Sequence, residues 1–214
     1  KKISIDNLYF VASSNSAGST LKFGDKEIKV ENLENFDFSK VNISFFSAGK
    51  TISEKYVPLA AKHSVVIDNS SFFRMDPDVP LIVPQVNKDH LKNIKKNIIA
   101  NPNCSTAQLV IVLKSLNDNF KIKRIVISTY QSTSGAGKKP MDELIDQTKS
   151  ILNNKSFEVK NFTKQIAFNA IPHIDSFSDD GYTKEELKMI KETNKILGTK
   201  IDITATCVRI PVLV

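Results

Sequence analysis

The sequence has 214 residues, of which 41% are hydrophobic and 25% charged, as in an ordinary globular protein. No apolar run approaches the ~20 residues that cross a bilayer, and the net charge of +7 comes from scattered basic residues without interleaved aromatic ones, so neither a membrane protein nor a nucleic-acid-binding protein is indicated. The two cysteines give no disulfide framework, which predicts a reducing cytoplasm, and the basic surface suits small anionic substrates.

The first residues predict two short strands with almost nothing between them. Lys2–Ile5 and Asn7–Ala12 both have the composition of strands, and only Asp6 separates them. Two buried parallel strands need a crossover of about a dozen residues or more. We therefore predict that a loop and a helix are absent from the sequence after Ile5.

The rest of the first hundred residues predicts alternating strands and helices. Gly24-Asp25 predicts a β-hairpin between Thr20–Phe23 and Glu27–Val30. Further elements are predicted as strands at Val41–Ser47, Ser64–Asp68 and Ile98–Ala100 and as a helix at Ser53–Lys62. This alternation is typical of an α/β domain with a largely parallel sheet, whose ligands bind at the carboxyl ends of the strands. The polar segments that follow such ends are Ser13–Gly18, Ser47–Gly49 and Asn69–Ser71.

The second half predicts longer elements. Apolar residues at helical spacing indicate helices at Ser105–Asn117 and Lys139–Leu152. A third helix runs from Thr183, its N-cap, to about Leu197, with acidic residues in its first turn. Strands are predicted at Ile122–Tyr130 and Ile201–Val214. The last strand reaches the final residue without a turn, so we expect the sequence to be cut there.

Cys104 is the candidate nucleophile. It lies in a polar, proline-containing turn that opens a helix, where unpaired backbone N–H groups and the helix dipole favour an anion. Such positions favour the reactive thiolate over a buried structural thiol. Cys207 lies instead inside a strand pattern, and we predict that it is a packing residue.

Other candidate groups leave more than one interpretation open. The three histidines, His63, His90 and His173, are each a possible general base, although loop or surface positions explain them equally well. Arg74 and Arg209 are lone arginines among apolar neighbours, which indicates an anionic partner, either a protein carboxylate or a bound carboxylate or phosphate. The glycine-rich segment Ser134–Gly137 is either a nucleotide-binding turn or an ordinary one. No cluster has metal-ligand spacing, so we predict no metal.

Together these residues resemble the aspartate-semialdehyde dehydrogenase family along almost the whole chain. The motifs that carry the resemblance are Ser13–Gly18, Phe46–Gly49, Asp68–Ser71, Arg74–Pro80, Asn101–Thr106, Ser128–Gln131, Ser134–Gly137, Asn169–Pro172 and Thr206–Val212. The resemblance implies a dimeric α/β enzyme. Its Rossmann-like NADP-binding domain would cover 1–103, and an α+β catalytic and dimerisation domain with a mixed sheet would cover 104–214.

The implied reaction is the NADPH-dependent conversion of L-aspartyl 4-phosphate to L-aspartate 4-semialdehyde and phosphate. The pathway supplies lysine and diaminopimelate, methionine, threonine and isoleucine. By the family pattern Cys104 attacks the acyl phosphate, and hydride then reduces the resulting thioester, so that one difficult substitution becomes two easier steps.

The resemblance also implies roles for further residues. Arg74 and Lys188 would hold phosphate and Glu185 would order that site. Glu185 and Lys188 are three residues apart and so share a helix face, although a solvated ion pair explains that spacing equally well. Arg209 would clamp the substrate carboxylate, and Gln131 would orient the substrate. The implied cofactor contacts are Asn15, Ser16 and Ser47, with Ser134 and Gly135 at the nicotinamide end.

The sequence departs from the family in three ways. The glycine-rich pyrophosphate loop is not among the residues, and the family's catalytic histidine would be expected just beyond Val214. Asn15 stands where the family usually has an arginine, which leaves the choice between NADP and NAD open. Two alternatives remain: a non-catalytic binding or structural homologue, and an N-acetyl-glutamyl-phosphate reductase, whose motif usually reads Asn-Pro-Gly-Cys-Tyr where this chain has Asn-Pro-Asn-Cys-Ser.

Overall fold

The computed structural model describes residues 4–214 and divides the chain into two compact units. The first unit contains residues 1–80 and 93–100, and the second contains residues 81–92 and 101–214. The sequence-based boundary lay between residues 103 and 104. Residues 81–92 thus precede the last strand of the first unit in the chain but belong to the second.

The first unit contains two small sheets. Strand β1 (Phe10–Ala12) pairs in parallel with β3 (Lys26–Asn32), and β2 (Thr20–Phe23) pairs with β3 in antiparallel fashion. The antiparallel pairing of β2 with β3 confirms the predicted hairpin. Its turn contains Gly24 with a φ of 58°, a left-handed conformation that glycine adopts without steric cost. Two short 3₁₀ helices, Leu33–Asn35 and Phe38–Lys40, follow β3.

The second sheet of this unit is entirely parallel. Its order is β4 (Ile43–Phe46), β5 (Val65–Asp68) and β6 (Ile98–Ala100), and helix α1 (Lys50–Ala60) connects the first two. The parallel strands predicted from the apolar runs are confirmed. Helix α1 starts three residues earlier than predicted, because Gly49, at φ 89°, turns the chain into it.

The second unit is built on two parallel strands covered by helices. Strand β7 (Arg124–Gln131) pairs along its full length with β8 (Asp202–Arg209). Helices α3 (Cys104–Phe120) and α5 (Lys184–Leu197) pack against each other, and the short α2 (Pro84–Asn87) contacts both. Ile171 adds one antiparallel bridge to Arg209. The remaining elements are α4 (Lys138–Leu152) and 3₁₀ turns at Lys88–Asn93 and Thr133–Ala136.

Apolar residues at the predicted spacing form the core of the second unit. The buried side chains that pack together are Leu113, Ile125, Ile127, Ile174, Met189, Ile201, Ile203, Ala205 and Cys207. Apart from Ile174 and Ile201, which lie in loops, they come from α3, β7, α5 and β8. This core therefore fixes the relative positions of the elements that carry the candidate site. A second cluster around Ile166 and Leu144 holds α4.

Two predicted strands differ from the structure. The strand over Ile201–Val214 ends at Arg209, since Ile210 then donates its N–H to Gln131 and the carbonyls of Val212 and Leu213 accept from Thr133 and Ser134. The predicted strand Lys2–Ile5 lies outside the described residues except for Ser4 and Ile5, which are not in a strand. The strand predicted from Asn7 begins only at Phe10.

Candidate active site

Cys104 is the first residue of helix α3, which begins one residue before the predicted start at Ser105. Asn103 caps the helix: its side chain accepts the N–H of Ser105 at 2.9 Å, and the Cys104 thiol lies exposed, with Sγ 4.0 Å from the Asn103 Oδ1. The first backbone N–H groups of a helix carry partial positive charge, which favours an anionic sulfur. The position therefore suits a nucleophile.

Glu185 binds three side chains, two of them predicted site residues, through one buried carboxylate. Its Oε1 accepts hydrogen bonds from Gln131 Nε2 at 3.2 Å and from Asn103 Nδ2 at 3.1 Å. Its Oε2 pairs with Lys188 Nζ at 3.1 Å. The interpretation of Glu185 and Lys188 as a solvated surface pair is wrong, because Glu185 is only 6% exposed. The carboxylate instead links the start of helix α3, strand β7 and helix α5.

Lys188 is held between two carboxylates. Besides Glu185, its Nζ contacts Asp175 Oδ2 at 3.0 Å. Partial burial opposes the charge on Lys188, but the two neighbouring carboxylates outweigh it and raise its pKa. The side chain is thus a cation that can meet an anionic ligand.

Arg209 ends strand β8 and is buried. Its Nη1 donates to the backbone carbonyl of Ser132 at 2.6 Å. Burial lowers the pKa of Arg209, while the nearby Glu185 carboxylate acts in the opposite direction. A guanidinium ordinarily stays protonated over the whole physiological range, so Arg209 provides a fixed positive charge in the cavity that Cys104 also lines.

Cys104, Gln131 and Arg209 line one open cavity of about 570 Å³. The other lining residues are Ser105, Gln108, Leu109, Ile127, Ser128, Thr129, Tyr130, Ser132, Ser134, Gly135 and Met189. The cavity therefore brings together the predicted nucleophile, the predicted carboxylate clamp and the predicted orienting amide. All of these residues belong to the second unit.

The predicted nicotinamide-end contacts line the same cavity. Ser134 exchanges a hydrogen bond with Ser132 through their hydroxyl groups at 2.9 Å. A Cβ added to Gly135 would lie 3.3 Å from Arg209 Nη1, so glycine gives the guanidinium its room. The polar turn that holds these residues is a 3₁₀ segment between β7 and α4.

The remaining predicted site residues lie in the first unit. Arg74 is buried and donates from Nη2 to the Asn69 carbonyl at 3.0 Å. Ser47 follows β4 and its hydroxyl accepts from Asn69 Nδ2 at 3.3 Å. Asn15 and Ser16 lie in the exposed turn after β1. These positions at the ends of β1, β4 and β5 are those where a doubly wound sheet binds ligands.

The other candidates lie elsewhere. None of His63, His90 and His173 lines the cavity at Cys104. Cys207 is fully buried, with Sγ 3.8 Å from Met189 Sδ, and burial raises its pKa, so the prediction of a packing residue is confirmed. Residues 4–214 contain no group of histidine, cysteine and acidic side chains arranged for a metal. None of the helices that these residues form has the length and apolar character needed to cross a membrane.

Sequence reasoning missed several residues of this site. Asn103, Ser132 and Asp175 hold Cys104, Arg209 and Lys188 in place. Glu192 contacts the backbone of Asn103 from 89 residues away. Asn103 precedes the first helical residue, so N-cap preference could have identified it. The other contacts join distant segments and leave no local signal.

Comparison with known families defines the class of protein. The pattern described as "Semialdehyde dehydrogenase, NAD binding domain" matches residues 1–94, and that described as "Semialdehyde dehydrogenase, dimerisation domain" matches residues 113–214. These two matches define the class of protein as the semialdehyde dehydrogenases, with an α/β fold.

Individual relatives narrow the class. The chain is 50% identical to "Aspartate-semialdehyde dehydrogenase 2" of Vibrio cholerae over 215 residues, which are 99% of this chain and 64% of that protein. A crystal structure of the Vibrio cholerae enzyme "complexed with ASA" matches with a TM-score of 0.94 over 98% of this chain and 63% of that one. The enzyme "with NADP" from Candida albicans matches at 25% identity, with a TM-score of 0.68 over 97% and 61%. The chain belongs to the aspartate-semialdehyde dehydrogenase family, and it spans just under two thirds of the length of these relatives.

The alignment also corrects one expectation. It has 215 positions for 99% of a 214-residue chain. An aligned length so close to that of the chain leaves no room for a missing loop and helix between the segments around Asp6. The predicted internal absence after Ile5 is therefore wrong. The error came from treating the residues before Asp6 as a buried parallel strand.

Proposed function

We propose that the protein containing this chain converts L-aspartyl 4-phosphate to L-aspartate 4-semialdehyde, releasing phosphate, with NADPH as reductant. The observation that carries the proposal is the cavity in which the exposed Cys104 thiol, the buried Arg209 guanidinium and Gln131 meet. The names of the relatives give the substrate class, and the cavity supplies the groups that its chemistry needs.

Cys104 acts as the nucleophile. Its sulfur attacks the acyl carbon of the substrate, a C–S bond forms, the C–O bond to phosphate breaks, and phosphate leaves with the bonding electron pair. Bound NADPH would supply the hydride that reduces the thioester. Collapse of the reduced adduct then breaks the C–S bond, which releases the aldehyde and restores the thiolate at Cys104.

Arg209 and Gln131 orient the substrate. The guanidinium has a planar fork that matches a carboxylate, so Arg209 holds the α-carboxylate of the substrate. Its Nη1 contact with Ser132 fixes one side of the fork before the substrate arrives. Gln131 receives a hydrogen bond from Thr129 at 2.9 Å and donates to Glu185, so its amide is fixed in one orientation.

Lys188 is the residue of the second unit that holds the phosphate. Two carboxylates, Glu185 and Asp175, keep Lys188 charged and in place. Glu185 also contacts the cap of the nucleophile helix through Asn103. A phosphate at Lys188 would therefore lie beside a group that is linked directly to the helix of Cys104.

The cofactor in this proposal is NADP. Ser134 and Gly135 line the cavity of Cys104, so these residues fit the nicotinamide end of the cofactor. Asn15, Ser16 and Ser47 are exposed polar side chains after strand ends, which fit the adenosine 2′-phosphate end. The related enzyme from Candida albicans was solved with NADP.

The proposal includes a homodimer in the cytoplasm. A dimerisation-domain match covers residues 113–214. The two thiols, one exposed and one buried, form no disulfide, which suits a reducing compartment.

The test is phosphate-dependent reduction of NADP with L-aspartate 4-semialdehyde as substrate, followed by NADPH absorbance. Cys104→Ala should abolish turnover, whereas Cys207→Ala, which removes a buried thiol of the same unit, should retain it. NAD measured in parallel tests the cofactor. Full activity of Cys104→Ala would refute the mechanism, and equal rates with NAD would refute the choice of NADP.

A further inference from the structure

The backbone at the start of the nucleophile helix is held by a residue on another helix. The N–H of Asn103, the N-cap of α3, donates to Glu192 Oε2 at 2.7 Å. Glu192 lies on α5 and is only 2% exposed. A buried carboxylate that accepts a backbone N–H makes a short, charge-assisted hydrogen bond, stronger than one between neutral groups.

The same contact occurs in α5 itself, which shows its physical role. There Glu186, at the third helical position, accepts the N–H of the N-cap Thr183, also at 2.7 Å, and so completes a capping box. In α3 the third helical position is Thr106, a fully buried hydroxyl residue that provides no carboxylate. Glu192 supplies from a neighbouring helix the acceptor that α3 lacks.

Two carboxylates of α5 both bind Asn103. Glu185 and Glu192 are seven residues apart and so lie on the same face, two turns from each other. Glu185 binds the Asn103 side chain, and Glu192 binds its main chain. Because Cys104 directly follows Asn103, the direction of its side chain depends on both contacts.

We propose that Glu192 is a positioning residue for Cys104: by fixing the Asn103 N–H, it holds the first turn of α3 in the geometry that presents the thiol. It acts through the backbone and does not touch the substrate. The kinetic part of this inference rests on the proposed function, whereas the reactivity of the thiol does not.

The test compares two substitutions that remove the same charge. Glu192→Gln keeps an amide oxygen where the carboxylate oxygen was, and Glu192→Ala removes it, so their difference isolates the acceptor. Glu143 provides a matched pair of controls, Glu143→Gln and Glu143→Ala. It is a buried carboxylate of the same unit that accepts the N–H groups of Lys160 and Asn161, away from the cavity at Cys104.

The first measurement is the rate of iodoacetamide alkylation of Cys104 as a function of pH, with the site of modification identified by mass spectrometry. A frayed first turn loses the helix-dipole effect on the thiolate, so Glu192→Ala should react roughly two- to fivefold more slowly than Glu192→Gln near neutral pH. The two Glu143 variants should react alike. Equal rates in the Glu192 pair, or the same ratio in the Glu143 pair, would overturn the proposal.

The second measurement separates the effect of the substitutions on kcat from their effect on KM. Relative to Glu192→Gln, Glu192→Ala should lower kcat about tenfold, because small misplacements of a reacting group slow the chemical step. The KM for L-aspartate 4-semialdehyde should stay within about twofold. A rise in KM with unchanged kcat would contradict positioning. If Glu192→Ala does not fold, Glu192→Asp, which withdraws the carboxylate by one methylene, should show the same direction of change in the alkylation rate. Alkylation that follows this pattern in an inactive protein would leave the inference standing while the proposed function fails.

Discussion

Replacing Glu186 by alanine should loosen the helix that carries Glu185, Lys188 and Glu192. The two oxygens of Glu186 have separate tasks: Oε2 accepts the N–H of Thr183 at 2.7 Å, and Oε1 accepts the N–H of Cys207 at 3.0 Å. The first contact caps α5, and the second ties it to strand β8. Both N–H groups belong to fully buried residues.

The magnitude follows from these two contacts. A buried donor left without its acceptor costs roughly 1–3 kcal/mol, so Glu186→Ala should lower the free energy of unfolding by roughly 2–6 kcal/mol. The free energy of unfolding of Glu186→Gln should lie between those of wild type and Glu186→Ala. An amide offers only one acceptor oxygen, and its NH₂ group would face the other backbone N–H. This graded order distinguishes lost hydrogen bonds from lost packing, since Gln and Glu have nearly the same shape.

The assay is urea unfolding followed by far-ultraviolet circular dichroism, with hydrogen exchange of the Cys207 amide as a local probe. Faster exchange at Cys207 in both variants would show that the tie between α5 and β8 has opened. A loss below about 1 kcal/mol in Glu186→Ala, or equal losses in the two variants, would refute the reasoning.

Four further outcomes are expected. Gly137→Ala should lower the free energy of unfolding by about 1–2 kcal/mol in urea titration, because Gly137 has a φ of 102°. Gly135→Ala adds a methyl group 3.3 Å from Arg209 Nη1. This second variant should instead raise the KM for L-aspartate 4-semialdehyde several-fold, with little loss of stability. Arg209→Lys should lower kcat/KM by about tenfold to a hundredfold in steady-state assays, because an ammonium cannot replace the planar fork. Burial opposes the ionisation of Asp175, but the Ser176 N–H and Lys188 outweigh it and lower its pKa. A carboxyl group whose pKa is lower in the folded protein than in the unfolded one stabilises the fold at a pH above its unfolded-state pKa. This stabilisation is lost as the pH falls through the folded-state pKa. The stability difference between wild type and Asp175→Asn should therefore shrink from about pH 5 to pH 3, and a constant difference would contradict this.

Local sequence signals predicted the ends of the elements that matter most to the site. The N-cap Thr183 with Glu186 three residues later predicted the start of α5, and a capping box is present there. The Asn-Pro-Asn turn predicted a helix from about Ser105, and α3 begins one residue earlier, at Cys104. Capping depends on side chains within three residues of the helix end, so a linear sequence contains all of the information.

Strand ends were predicted less well, because they depend on distant partners. The apolar pattern after Ile201 continues to the last residue, yet β8 ends at Arg209. Ile210 there bonds to Gln131, and the carbonyl of Val212 accepts from Thr133. The composition of residues 210–214 is compatible with a strand, and only the position of the segment after β7 determines their actual pairing.

The sequence by itself predicted the helix that carries Cys104 and determined the family, since each rests on residues close together in the chain or on ordered motifs. Only the tertiary structure decided how the site is held together. Glu185 and Glu192 reach Asn103 across 82 and 89 residues, and Arg209 reaches Ser132 across 77. Buried polar groups need partners wherever the fold brings them, and that choice depends on the packing of α3, α5, β7 and β8 around one core.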